Sequence, residues 1–208
     1  MAAKFFRGAE FKTPTGRLSF AQSLFKPRAA EQGGREKYGC TLIFPNTDKP
    51  AFEKALVEVL ENQWPKDGID RFKRGLIKSP ILAGDGKEAH NKTTGTLNPG
   101  MGADVFFIRT SATVEFPPAV RWRSASIPAT EEEVYSGCYG FAVLNAFAWN
   151  DPRNGDGISF GIRYFQKTGE GEKFGGDFNP EKYFQKIEDT GPAPEATKGG
   201  AGAAGLFS

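Results

Sequence analysis

One histidine and two cysteines are all that 208 residues hold of those types, and each scarcity removes a class of chemistry. A histidine-dependent nucleophilic triad would have to use His90, which sits in the hydrophilic stretch Lys87-Glu88-Ala89-His90-Asn91-Lys92, where a solvated imidazole is the ordinary outcome. A structural zinc takes typically four Cys/His ligands, and Cys40, Cys138 and His90 are only three, without paired spacing. The cysteines lie far apart with no CxxC, so neither a disulfide framework nor a redox motif is indicated. No GxxxxGK[ST] and no strand-linked GxGxxG occurs, and Gly169-Glu170-Gly171-Glu172 carries carboxylates that would repel a phosphate. Acidic residues fall in the helix, the connectors and the loops, not on strand faces where a two-metal site is held rigid. The expectation is a chain with no catalytic residue, no metal and no cofactor: not an enzyme. Nor does any run approach the ~18 apolar residues of a membrane helix. The first twenty residues lack a signal-peptide core, so the expected location is the cytoplasm, away from membranes.

What is present is charge in an uneven pattern. The whole chain is +2, but residues 1–40 carry eight Lys/Arg against three Asp/Glu, a net of +5, and residues 66–92 carry seven against four, a net of +3. Residues 188–208 hold Lys198 against Glu188, Asp189 and Glu195, a net of −2. A basic body with a mildly acidic end suits a protein that meets a polyanion and keeps its tail off it.

The spacing reads mostly as β. Residues 4–12 and 17–25 alternate on either side of Thr13-Pro14-Thr15-Gly16, a turn by composition. Residues 37–44 set Tyr38, Cys40, Leu42 and Phe44 on one face, with Ile43 as the exception on the other. One helix follows this third strand: Thr47 or Asp48 can cap it, Pro50 suits its first turn, Phe52, Leu56, Val59 and Leu60 repeat at three-four spacing, and Pro65 stops it. Residues 66–103 read as a long, partly mobile excursion broken by Gly84-Asp85-Gly86 and Asn98-Pro99-Gly100. Strands resume at 104–114, 119–124, 137–149 and 157–167, the last two joined by a loop over 150–156, with a short helix at 180–187. The Gly/Ala/Pro-rich end cannot bury enough apolar surface to order itself. The predicted architecture is mainly β: a small Greek-key barrel of the OB type over 1–187, with the insertion at 66–103 and a disordered tail at 188–208. A β-sandwich shares the strand count.

Basic and aromatic residues share strand faces. Strict alternation in 157–167 puts Arg163, Phe165 and Lys167 opposite Ile158, Phe160, Ile162 and Tyr164. In 104–114 it pairs Phe107 with Arg109, and in 119–124 it sets Arg121 and Arg123 on one side. In 137–149 Tyr139 and Phe141 are expected in the core, with Trp149 at the strand end as core or platform. Arg17 and Lys37 add charge on the earlier strands. Bases stack on aromatic faces at ~1–3 kcal/mol each while Lys/Arg track phosphates, and neither contact reads sequence. The expected nucleic-acid-binding set is therefore Arg109, Phe107, Arg121, Arg123, Trp149, Arg163, Phe165, Lys167, Lys37 and Arg17.

Several pieces in a fixed order carry a family resemblance: Arg17-Leu18-Ser19-Phe20 with Leu24-Phe25-Lys26-Pro27, then Lys37-Tyr38-Gly39-Cys40-Thr41-Leu42-Ile43-Phe44-Pro45 leading into the helix. Next come Val134-Tyr135-Ser136-Gly137-Cys138-Tyr139 and Gly157-Ile158-Ser159-Phe160 to Gln166-Lys167, followed by Gly175-Gly176. On these the chain resembles the bacteriophage single-stranded DNA-binding proteins once catalogued only as a domain of unknown function. The resemblance implies an OB-fold protein, monomer or homodimer, that coats single strands during phage replication or recombination in the host cytoplasm. It is similar in plan to replication-type phage binding proteins whose acidic tail ends in an aromatic residue and contacts polymerase. This chain departs from that plan, ending Leu206-Phe207-Ser208 with a weaker tail charge; the resemblance implies phage replication proteins as partners of the tail. A reading from another class is a phage structural or adaptor β-barrel whose Arg faces bind neighbouring subunits.

Overall fold

The computed structural model describes residues 5–29 and 34–175; the expected helix at 180–187 and the tail at 188–208 lie outside them. Short strands β1 (Arg7–Lys12), β2 (Gly16–Ser19), β3 (Arg28–Ala29), β4 (Glu36–Tyr38) and β5 (Thr41–Pro45) precede helix α1 (Pro50–Gln63). Helix α2 (Gly68–Lys73) and strands β6 (Ile77–Lys78) and β7 (Ile81–Ala83) follow. Then come β8 (Val105–Thr113), β9 (Ala119–Trp122), β10 (Ser124–Pro128), β11 (Tyr139–Asp151) and β12 (Gly155–Gly169).

Five of these close a ring. Antiparallel ladders run β12–β11, β11–β2, β2–β5 and β5–β8. Then β12 pairs β8 in parallel at Phe160↔Thr110 and Gly161↔Ser111. A sheet that returns to its first strand is a barrel, which decides against the sandwich. The helix follows β5, the third strand expected from the sequence, and places Phe52, Ala55, Leu56, Val59 and Leu60 inside. Phe52 is the hub: its ring meets those of Phe11, Phe44, Phe106 and Phe160 at centroid distances of 5.9, 5.2, 5.5 and 5.8 Å. All four pairs are edge-to-face, the arrangement the aromatic quadrupole favours.

Several sequence expectations are corrected. Neither Thr47 nor Asp48 caps α1, because Asn46–Asp48 already forms a 3-10 turn that runs straight into Pro50. The predicted strand 17–25 ends at Ser19: Phe20 turns left-handed at φ 58° and starts a 3-10 turn over Ala21–Leu24. The excursion 66–103 is built, not loose. β6 pairs β12, β7 pairs β8, and His90 bridges Leu97. Its Ala89 packs with Ile43 and Phe107 in a second apolar cluster outside the barrel. That cover explains why all four of Thr41, Leu42, Ile43 and Phe44 are buried, so Ile43 is core on the other face and no exception. The loop over 150–156 shrinks because pairing persists to Asp151↔Gly155, and the Asp151 carboxylate accepts the Arg153 and Asn154 N–H groups.

Both cysteines are buried and free. The Cys40 thiol sits 3.3 Å from Thr110 Oγ1, and burial pushes its pKa up to about 12. A thiolate is the reactive species. Ellman's reagent is therefore expected to titrate neither thiol of the native protein at mildly alkaline pH and both after denaturation in guanidinium; rapid native labelling of Cys40 would contradict this packing.

Candidate nucleic-acid interface

The interface is set by which face of β11 turns inward. Cys138, Ala142, Leu144, Ala146 and Ala148 are at most 1% exposed, and a side chain on Gly140 would collide with the Phe165 ring. The inward parity is thus small, and the large residues Tyr139, Phe141, Phe147 and Trp149 face out. Tyr139 is 41% exposed and Phe141 is half-buried. Both were expected in the core, and a barrel already filled by phenylalanines from four other elements has no room for them.

Cations lie on this outer aromatic row. Lys12 Nζ is 3.8 Å from the Phe141 ring centre, and the Arg7 and Arg17 guanidinium carbons are 4.9 and 5.7 Å from those of Phe147 and Tyr139. These are cation–π distances. Trp149 lies flat over Gly157, where no side chain could fit beneath it, and its Nε1 donates to Ser159 Oγ at 2.9 Å.

Beside the row runs a groove of about 460 Å³ that crosses from β1 and β11, over Gly161, to the end of β8 and to β4. Arg7, Lys37 and Arg163 line it against one carboxylate, Glu115, with Phe116, Phe147 and Asn145 between them. Phe116 is 61% exposed. The Arg163 guanidinium is 5.9 Å from its ring centre, and Nε is 3.4 Å from Glu10 Oε1. At this surface exposure that ion pair is worth little, so Arg163 stays available to an anion.

The structure sorts the ten residues read from strand parity. Arg163 and Lys37 line the groove, and Trp149 belongs to the aromatic row. Phe165 and Phe107 do not reach the surface, being 0% and 1% exposed. For Phe165 the cause is a bulge. Val143 opposes Tyr164 and Leu144 opposes Ile162, so Arg163 is an extra residue and inverts the alternation after it. Arg163 and Tyr164 are consequently both exposed, while Phe165 turns into the barrel. Phe107 is covered by the excursion. Lys167 is 2% exposed, with Nζ donating to Glu133 O and to Glu170 Oε1 at 2.6 and 2.8 Å. That ammonium, followed by the Tyr135 hydroxyl, holds the Glu170 carboxyl below its ordinary range.

Three of the four remaining arginines are tied to backbone carbonyls away from the groove. Arg109 donates to Glu88 O, Arg121 to Val120 O and Ala125 O, and Arg17 to Gly137 O and Glu172 O. Arg123, at φ 28°, lies 4.2 Å from the Trp122 ring centre on the β9–β10 ribbon. Strand parity missed Arg7, Phe116, Phe147 and Asn145. A signal for the last was there: Asn145 is the only amide in the otherwise apolar 137–149.

A family model described as "Enterobacter phage Enc34, ssDNA-binding protein" matches residues 9–193. The chain belongs to this family. Two solved structures of the Enc34 protein share the fold of this Enc34-family chain. One, in complex with ssDNA, is 23% identical with a TM-score of 0.56 and covers 80% of this chain and 89% of that one. The other, a C-terminal truncation, is 20% identical with a TM-score of 0.56 over 84% and 99%. The p50 protein of Acyrthosiphon pisum secondary endosymbiont phage 1 is 25% identical over 168 residues, 77% of this chain and 83% of that protein.

The two sides of the sheet make different predictions for stability. Phe165→Ala is expected to cost about 3–5 kcal/mol of unfolding free energy. Phe147→Ala, which loses an outer contact with Arg7, should cost about 1 kcal/mol. Urea unfolding followed by circular dichroism measures both, and equal losses would place Phe147 in the core.

Proposed function

We propose that this Enc34-family protein binds and coats single-stranded DNA without reading its sequence, in the host cytoplasm, during phage DNA replication or recombination. The observation that carries the reading is the outward aromatic row Tyr139, Phe141, Phe147 and Trp149, bordered by a groove with three cations and one carboxylate. Every base has a π-face, so such a row accepts any sequence, but only from an unpaired strand whose bases are free to unstack. Arg7, Lys37, Arg163 and Lys12 would meet the phosphates and release their condensed counterions.

The site residues of this proposal are Arg163, Lys37 and Trp149 from the sequence, joined by Arg7, Lys12, Phe116, Tyr139, Phe141 and Phe147. Nothing in it requires a bond to be made or broken; the protein works by occupancy. The division into a binding body and a tail that meets phage replication proteins is part of the same proposal. Its support is the Leu206-Phe207 pair within a sequence stretch otherwise rich in glycine and alanine.

Fluorescence anisotropy with labelled oligo-dT, repeated with a duplex and across a salt series, tests the reading. Tight, salt-sensitive binding that prefers the single strand is expected. Arg163→Ala should reduce the log–log salt slope by about 0.7 for all sequences alike. Phe141→Ala should cost roughly 1–3 kcal/mol with the slope unchanged. No binding at low salt, with self-assembly of the purified protein instead, would favour a structural or adaptor role.

A further inference from the structure

The outward aromatic row does not stop at Tyr139. Arg17 of β2 is the register partner of Tyr139, so the two side chains share the outer face. The Arg17 guanidinium carbon is 5.7 Å from the Tyr139 ring centre and 4.4 Å from that of Phe174. Phe174 in turn lines a cavity of about 280 Å³, set between the 3-10 turn after β2 and the Asn98-Pro99 stretch of the excursion. Row, cation and cavity are contiguous.

Phe20 is the unusual residue of this cavity. It is 55% exposed and stands at φ 58°, in the left-handed region that a bulky side chain occupies rarely and at a cost. Neighbouring bonds hold it there: its carbonyl accepts the Ser23 N–H at 3.1 Å, and Ala21 donates its N–H to Ser136 Oγ at 3.0 Å. Glycine or asparagine would make the same turn with less strain, and folding gains little from a ring left half in water. An exposed ring kept on a costly turn points to a ligand that covers it. Polar residues able to donate and to accept line the cavity beside it, namely Ser19, Gln22, Arg28 and Asn98, and no carboxylate does among the described residues. That lining matches a flat heterocycle with donors and acceptors on its edge, carried on a polyanion. Phe20 offers the stacking face, the two amides can rotate to suit either kind of edge, and Arg28 and Arg17 bring positive charge.

We propose that this cavity takes one unstacked nucleobase of the bound strand, laid on Phe20 at the Tyr139 end of the row. This rests on the aromatic row being the single-strand site. Because every base has a π-face, the pocket anchors one end of the strand without adding sequence preference.

The test uses the full chain with Phe20→Gly and Phe20→Asn, which remove the ring and suit the left-handed turn. Their melting temperatures should equal or exceed that of the wild type, which separates the pocket from a folding role. In anisotropy titrations both should bind oligo-dT roughly five- to a hundredfold more weakly, with the log–log salt slope unchanged. Both should bind an abasic strand with normal phosphates as the wild type does. An equal loss on the abasic strand overturns the pocket, because it would assign Phe20 to the fold or to the phosphate path. Photocrosslinking of the wild type to iodouracil-substituted oligo-dT, read by peptide mass spectrometry, needs no variant to fold, and attachment at Phe20 is expected beside attachment along the row. Attachment confined to row residues such as Tyr139 and Trp149, with unchanged affinity in Phe20→Gly, overturns the pocket and leaves the proposed function standing. Lost self-association in Phe20→Gly with unchanged DNA binding also overturns it, and would give the cavity to a protein partner. Failure of the wild-type protein to bind oligo-dT would instead overturn the proposed function itself.

Discussion

The volume inside the barrel is the constraint from which the rest of the structure follows. Phe44, Phe52, Phe106, Phe160 and Phe165, all at most 1% exposed, fill it from β5, α1, β8 and β12. Protein interiors are packed to crystal-like density, so a fifth contributor has to be small. β11 meets that demand with Gly140, Ala142, Ala146 and Ala148 on its inner face, where Leu144 is the one larger side chain. Because side chains alternate across a strand, its aromatics are driven to the outer face. The outward aromatic row is therefore a by-product of core packing: the same strand cannot be bulky on both sides.

Surface aromatics on an unpaired face invite aggregation, and the protein answers with cations laid over them. Lys12 covers Phe141 and Arg7 covers Phe147, keeping the rings wetted at their edges and setting charge beside them. The glycines of β12 complete the arrangement. Gly157 gives Trp149 a flat bed, and Gly161 makes room for the Asn145 amide and the Arg7 guanidinium. The bulge at Arg163 then points that arginine and Tyr164 outward together, concentrating charge and an aromatic at the rim where a regular strand would offer one of the two.

The opposite flank of the barrel is closed off. The excursion between α1 and β8 lays Ala89 on Phe107 and Ile43, and the Arg109 guanidinium donates to its Glu88 carbonyl. One side of β8 is thereby converted from a basic-aromatic strand face into interior. The molecule has one dressed face and one sealed face, although the strands that build them carry similar residue types.

How much of this was legible in the chain depends on the range of the interaction involved. Local rules carried the mainly-β architecture, the turn at Pro14-Thr15-Gly16 and the helix ending before Pro65, since each rests on a few neighbouring residues. Composition also announced the theme of arginines and aromatics on strands, and it marked Arg163, Lys37 and Trp149. What tertiary structure alone decided is which face is which. A one-residue bulge opposite Val143–Leu144 sent Phe165 inward, long-range cover by the excursion buried Phe107, and Glu133 and Glu170 drew Lys167 out of solvent. Alternation gives two faces without labelling them. The label comes from volume already occupied by residues as distant in sequence as Phe44 and Phe160, and no local pattern contains that information.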